Sequence, residues 1–148
     1  MTKENQRAIV VGASRGIGLG LVRELLNQHW SVIATIRDTS QVPADLNQLL
    51  SEHPDKLELA ELDLSHEQTA NSIISKYPEH SIDLLLVSAG ISGPEHQRVE
   101  HCTPNEISNL FWVNSIAPVT IAREFLPLMK VNSVIAFMSS RMGSIYLV

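Results

Sequence analysis

The chain has 148 residues, 44% of them apolar and 18% charged, with a formal net charge of −5. That length bounds it to one domain, and the apolar fraction is ample for a packed core. Net negative charge without a basic cluster argues against nucleic acid and anionic membrane surfaces as partners.

Ala8 to Val11 is short, apolar and partly β-branched, as a buried parallel strand requires. Glycines at 12, 16 and 18 follow, and residues 19–28 read as a helix. Residues 31–36 form a second strand, 44–52 a short helix and 57–62 a third strand. Ser65, with Gln68 as its capping-box partner, is expected to open a helix that reaches about Tyr77. Residues 82–87 are a continuous apolar strand, followed by a polar loop from Gly90 to Cys102. Thr103-Pro104-Asn105-Glu106 supplies a cap, a first-turn proline and an N3 glutamate for a long helix reaching roughly Met129. Residues 133–138 are the fifth strand. Strands alternating with helices predict an α/β, Rossmann-type doubly wound parallel sheet in the order 3-2-1-4-5. Ligands then bind at the carboxyl ends of the strands.

Other features exclude more than they assign. No apolar run approaches the ~18 residues of a membrane span, and the opening Met1–Gln6 is polar, so neither a membrane anchor nor a secretory signal is expected. Cys102 is the single cysteine and cannot form an internal disulfide, which fits a cytoplasmic protein. The six histidines show no tight ligand spacing, and no metal is expected.

The chemistry is concentrated in Gly12-Ala-Ser-Arg-Gly-Ile-Gly18, where a strand runs through a glycine turn into a helix N-terminus. The first-turn N–H groups lack internal partners and the helix dipole favours negative charge, so the segment is an anion site. Gly12 lets the chain turn sharply, Gly16 lets a pyrophosphate approach the backbone, and Gly18 lets helix and strand pack closely. The spacing is Gly-x-x-x-Gly-x-Gly, and the segment closely resembles the cofactor loop of the short-chain dehydrogenases/reductases. The resemblance implies NAD(P)(H) and hydride transfer, with Ser14, Arg15 and Ile17 completing the loop around the glycines. It also makes residues 1–148 a single, incomplete NAD(P)-binding domain.

Further positions fit that resemblance. An acidic residue at the end of the second strand bonds the ribose of NAD, whereas an arginine accommodates the 2′-phosphate of NADP. Arg37 stands there, with Asp38 next and Arg15 in the glycine loop, so NADP is favoured over NAD. The alternative leaves Arg37 as a surface charge and gives the ribose to Asp38. By resemblance, Asp63 bonds the adenine amino group and the Leu64 backbone contacts the ring. Val87-Ser88-Ala89-Gly90 stands where the family usually has Asn-Asn-Ala-Gly; Ser88 loses the amide's reach, while Ala89 and Gly90 keep the backbone open to the cofactor.

Asn114 matches the family's active-site asparagine. Pro118 cannot donate to the carbonyl of residue 114, four positions back, which frees that carbonyl for a water of the family's proton relay. Ser140 matches the serine that polarises the substrate carbonyl, with Ser139 its neighbour. The wording Ser139-Ser-Arg-Met-Gly-Ser-Ile145 resembles the C-factor/sniffer-like subgroup of small carbonyl reductases. The implied substrate is a small carbonyl or alcohol.

The family's Tyr-x-x-x-Lys pair, expected roughly a dozen residues beyond the serine, does not occur in the 148 residues. Tyr146 falls only six residues after Ser140 and has no lysine four positions on, so it does not fill the role. The chain is therefore expected to be catalytically incomplete, with an open fifth strand, a homo-oligomer interface only partly present, and poor solubility. The competing expectation is a nucleotide-binding or regulatory module without turnover.

Overall fold

The computed structural model describes residues 6–65, 70–96 and 98–140. Strands β1 (Arg7–Val11), β2 (Ser31–Ile36), β3 (Leu57–Glu61), β4 (Ile82–Val87) and β5 (Met129–Phe137) form one parallel sheet, ordered β3-β2-β1-β4-β5. This is the doubly wound Rossmann-type order the sequence predicts. The chain leaves β1 to one side for β2 and β3, then crosses to the other for β4 and β5, so the switch in direction lies between β1 and β4.

Both faces of the sheet are covered over β1 and β2, which explains their continuous apolar sequence, whereas β5 is largely exposed. Ala8 and Val10 point into a core shared with α1 (Gly16–Asn27) and α2 (Ala44–Glu52). Ile9 and Val11 point into a second core, shared with α3 (Asn71–Ile74) and α5 (Ala117–Phe125), where Phe125 is fully buried. Register brings the strand ends level: Ala60, Thr35, Val11, Val87 and Phe137 are successive partners across the sheet. Five loops therefore open along one edge.

Three expectations need correction. The helix expected from Ser65 to about Tyr77 is α3, described over Asn71–Ile74 with Ala70 at its N-cap, while the Ser65 backbone N–H and hydroxyl both donate to Asp63 Oδ1, at 2.9 and 2.6 Å, closing a turn. Gln68 lies outside the described residues, and α3 begins at Asn71. The long helix is not continuous. Its α4 section (Pro104–Phe111) gives way to a π-turn over Trp112–Ile116, then α5, then a 3₁₀ turn over Leu126–Leu128. Pro118 is the cause: it has no N–H for the regular ladder, and the Ala117 N–H reaches Trp112 O, one residue further back than in an α-helix.

The fifth strand begins at Met129 rather than residue 133. Its first residues bulge, with Ile82 opposite Met129 but Leu84 opposite Val134, and Asn132 takes φ 66° to absorb the excess. Apolar periodicity does not reveal a strand half that is interrupted in this way. The capping box at the start of α4 forms as expected: Glu106 N–H donates to Thr103 Oγ1 at 3.3 Å, and Thr103 N–H donates to Glu106 Oε2 at 2.8 Å.

Candidate cofactor site

The glycine turn leaves β1 at the switch between β1 and β4. Gly12 has φ +87°, and a Cβ there would lie 2.7 Å from backbone atoms of Ala89. Left-handed backbone and close passage of the β4 loop both demand glycine. A Cβ on Gly18 would lie 1.9 Å from the Gly12 carbonyl oxygen, so α1 starts hard against the turn. Beside Gly16 there is open space.

Thr35 anchors the start of this turn. Its carbonyl accepts from the Ala13 N–H at 2.9 Å and its Oγ1 from the Gly12 N–H at 3.4 Å. It is the buried polar side chain among the described residues. No motif singles it out; the available signal was a hydroxyl in an otherwise apolar strand.

The first turn of α1 holds no acidic residue, and Arg15 at its N-cap gives no side-chain cap. Its N–H groups and dipole thus meet no acidic side chain of the helix's own first turn, and the space beside Gly16 is open. Ser14 is half-buried and Ile17 is 62% exposed. Arg15 and Arg37 are both exposed, and neither has an ionic partner among the described residues. Asp38, by contrast, is occupied. Its Oδ1 accepts from the Ser40 hydroxyl and N–H at 2.6 and 2.9 Å, and its Oδ2 from the Gln41 amide at 2.8 Å. These bonds, the Ser40 hydroxyl foremost, hold the Asp38 carboxyl below its ordinary range.

At the end of β3, Asp63 is half-buried and Leu64 is buried in the core. The Leu64 carbonyl accepts from the Trp112 indole N–H at 2.9 Å, which ties this loop to the π-turn. Trp112 is a second residue that no motif marks. At the end of β4, the Ser88 N–H donates to the Val11 carbonyl at 2.9 Å, and Ala89 packs under Gly12.

Asn114 reaches into the same loop. Its Oδ1 accepts from the Ile91 N–H and its Nδ2 donates to the Ile91 carbonyl, both at 2.8 Å. A Cβ on Gly90 would sit 3.2 Å from Asn114 Oδ1. The Asn114 side chain is therefore a clamp on the β4 loop, a role that reasoning about its backbone carbonyl does not reveal.

A cavity of about 200 Å³ opens between the ends of β4 and β5 and the π-turn, walled by Val87, Ala89, Asn114, Ser115, Pro118 and Met138. Met138 is pinned to β4 by its N–H on the Val87 carbonyl at 2.9 Å. Ser139 and Ser140 are exposed just beyond it, so Ser140 stands on the same edge of the sheet as the cavity. Arg141 to Ile145 and Tyr146 lie outside the described residues. His96 and His101 rings meet edge to face at 5.9 Å, and Cys102 Sγ donates to the Arg98 carbonyl. Among the described residues, no three His, Cys, Asp or Glu side chains are grouped to hold a metal, and no helix is long and apolar enough to cross a membrane.

Residues 6–147 match the profile of the short chain dehydrogenase family. An uncharacterized oxidoreductase of Schizosaccharomyces pombe is 28% identical, the alignment covering 97% of this chain and 58% of that protein. A short chain dehydrogenase of Penicillium aethiopicum is 31% identical, over 82% of this chain and 49% of its own. Among solved structures, a carbonyl reductase from Pseudomonas aeruginosa PAO1 in complex with NADP is 36% identical and superposes with a TM-score of 0.89, covering 95% of this chain and 60% of that one. The chain thus spans less than two thirds of the length of these relatives. A profile match across nearly the whole sequence, on a sheet of the same order with the glycine turn at its switch point, shows that the chain belongs to the short chain dehydrogenase family.

Proposed function

We propose that the protein is an NADP(H)-dependent oxidoreductase acting on a small carbonyl or alcohol, with residues 1–148 forming its dinucleotide-binding domain. One observation carries the proposal: a glycine cradle and an uncapped helix N-terminus share the carboxyl edge of the sheet with two guanidiniums that have no ionic partner among the described residues. A site with fixed donors and no acidic side chain in the helix's first turn suits a dinucleotide with an additional phosphate. The NADP held by the Pseudomonas aeruginosa carbonyl reductase supports the same choice.

In this assignment Gly12, Ser14, Arg15, Gly16, Ile17 and Gly18 hold the pyrophosphate, and Arg15 with Arg37 takes the 2′-phosphate. Asp63 and Leu64 bound the adenine, and Ser88, Ala89 and Gly90 flank the nicotinamide half. The bound cofactor supplies or accepts the hydride. Asn114 keeps the β4 loop in place through Ile91, and Ser140 offers a hydroxyl to orient a substrate carbonyl.

Titration with NADPH and NADH, monitored by cofactor fluorescence, tests the proposal. NADPH should bind at least tenfold more tightly, and Arg37→Ala should remove most of that difference. Equal affinities, or tighter NADH, would overturn the NADP assignment. Carbonyl reduction assayed alongside separates an enzyme from a binding module, since binding without turnover by the 148-residue chain is the module's signature.

A further inference from the structure

The turn after β2 carries the residue proposed to choose the cofactor, and several hydrogen bonds hold it. Three donors reach the Asp38 carboxylate: the Ser40 N–H and the Ser40 hydroxyl on Oδ1, and the Gln41 amide on Oδ2. The Gln41 N–H closes the turn on the Asp38 carbonyl at 3.3 Å. From the neighbouring strand, Glu61 Oε2 accepts both the N–H and the hydroxyl of Thr39 at 3.2 Å. On the other side, the Ile36 carbonyl accepts from the Leu62 N–H at 2.9 Å. The backbone on both sides of Arg37 is thus held, while its side chain stays exposed and has no ionic partner among the described residues.

We propose that Asp38 is a positioning residue for cofactor choice: it locks the Asp38–Gln41 turn so that Arg37 is presented to a 2′-phosphate, and it is not a ligand of the ribose. The role presupposes the NADP(H) preference proposed above. A carboxylate already accepting two bonds on Oδ1 and one on Oδ2 has about one acceptor site left, so bidentate binding of both ribose hydroxyls would break a bond of the turn, which disfavours that use. Ser40 and Thr39 donate their hydroxyls to carboxylates, so neither hydroxyl is directed to a phosphate. Arg37 and Arg15 are left as the donors for it. Locking the backbone beforehand reduces the ordering cost of engaging Arg37 on binding.

The proposal runs against simple electrostatics. Removing a negative charge beside a phosphate site should tighten NADPH, whereas removing a lock should weaken it. Asparagine separates the two effects, because it keeps the Oδ1 acceptor of the turn without the charge. The full-length protein is titrated with NADPH and NADH as wild type, Asp38→Asn, Asp38→Ala and Arg37→Ala. Asp38→Ala should weaken NADPH about fivefold and leave NADH within about twofold. Asp38→Asn should bind NADPH at least as tightly as wild type.

Equal tightening of NADPH in both Asp38 variants would overturn the proposal by showing a bare charge effect. Selective loss of NADH affinity in Asp38→Ala would overturn it by making Asp38 a ribose ligand. Should Asp38→Ala not fold, Ser40→Ala must weaken NADPH in the same sense, and no change there would also overturn it. The underlying preference fails separately: an unchanged NADPH-to-NADH ratio in Arg37→Ala removes the NADP assignment itself, whatever Asp38 does.

Discussion

Single atoms decide much of the candidate site. A methyl group on Gly18 would stand 1.9 Å from the Gly12 carbonyl, a backbone atom that cannot move without displacing the turn. Gly18→Ala should therefore lower stability by about 1–3 kcal/mol, the usual cost of overpacking, and abolish nucleotide binding; calorimetry and NADPH titration would show both. Asn114 bears on the loop through two bonds rather than one. Asn114→Ala leaves the Ile91 N–H and carbonyl to solvent and should cost about 1 kcal/mol. Asn114→Asp turns the donor facing the Ile91 carbonyl into an acceptor and should be no milder. Faster hydrogen exchange at the Ile91 amide in both variants would confirm the clamp, and unchanged exchange would refute it. The glycine pattern announced Gly12 and Gly18 because few other residues meet those backbone demands. Thr35, Trp112 and Ile91 carried no such mark, since their roles come from partners 23 to 48 positions away.

Elements were legible in proportion to how local their causes are. The Thr103 capping box forms because every partner lies within four consecutive residues. Thr103→Ala should cost about 1 kcal/mol in chemical denaturation. Glu106 and Asp38 are both held below their ordinary carboxylate values, Glu106 by the Thr103 N–H and then the hydroxyl, Asp38 by the Ser40 hydroxyl and then its N–H. Depressed folded values mean that these carboxylates stabilise the native state above the ordinary range, and that the contribution fades as pH falls through the lowered values. Melting temperature should then change little between neutrality and about pH 5, and drop below about pH 4. A decline that begins near neutrality would point to other groups. The π-turn belongs to the same scale: Pro118 foretold a break in the ladder, but only the packed helix shows it resolved as a wider turn that aims Trp112 and Asn114 at two different loops.

Across the whole molecule, apolar residues remain exposed on one side. Val131 is 85% exposed, Val119 63% and Val134 55%, on β5 and on the helix beside the cavity. β5 has a partner strand on one edge alone among the described residues. An open, apolar edge strand invites pairing with another chain. The 148-residue chain should therefore self-associate as its concentration rises, seen as growing mass in sedimentation or light scattering, and Val134→Lys should reduce the effect. A monomer of unchanged mass at high concentration would contradict this. The sequence by itself determined the strand order, the buried strands and the glycine turn between β1 and α1, because apolar runs, turn residues and caps act over a few neighbours. Only the tertiary structure decided that Asp38 is spoken for within its own turn, that Thr35 starts the glycine loop, and that Asn114 grips Ile91. The Thr35 and Asn114 contacts depend on partners 23 positions away, whose geometry exists once distant strands and helices have packed into register; the Asp38 bonds are local, but apolar periodicity and motif spacing do not announce them.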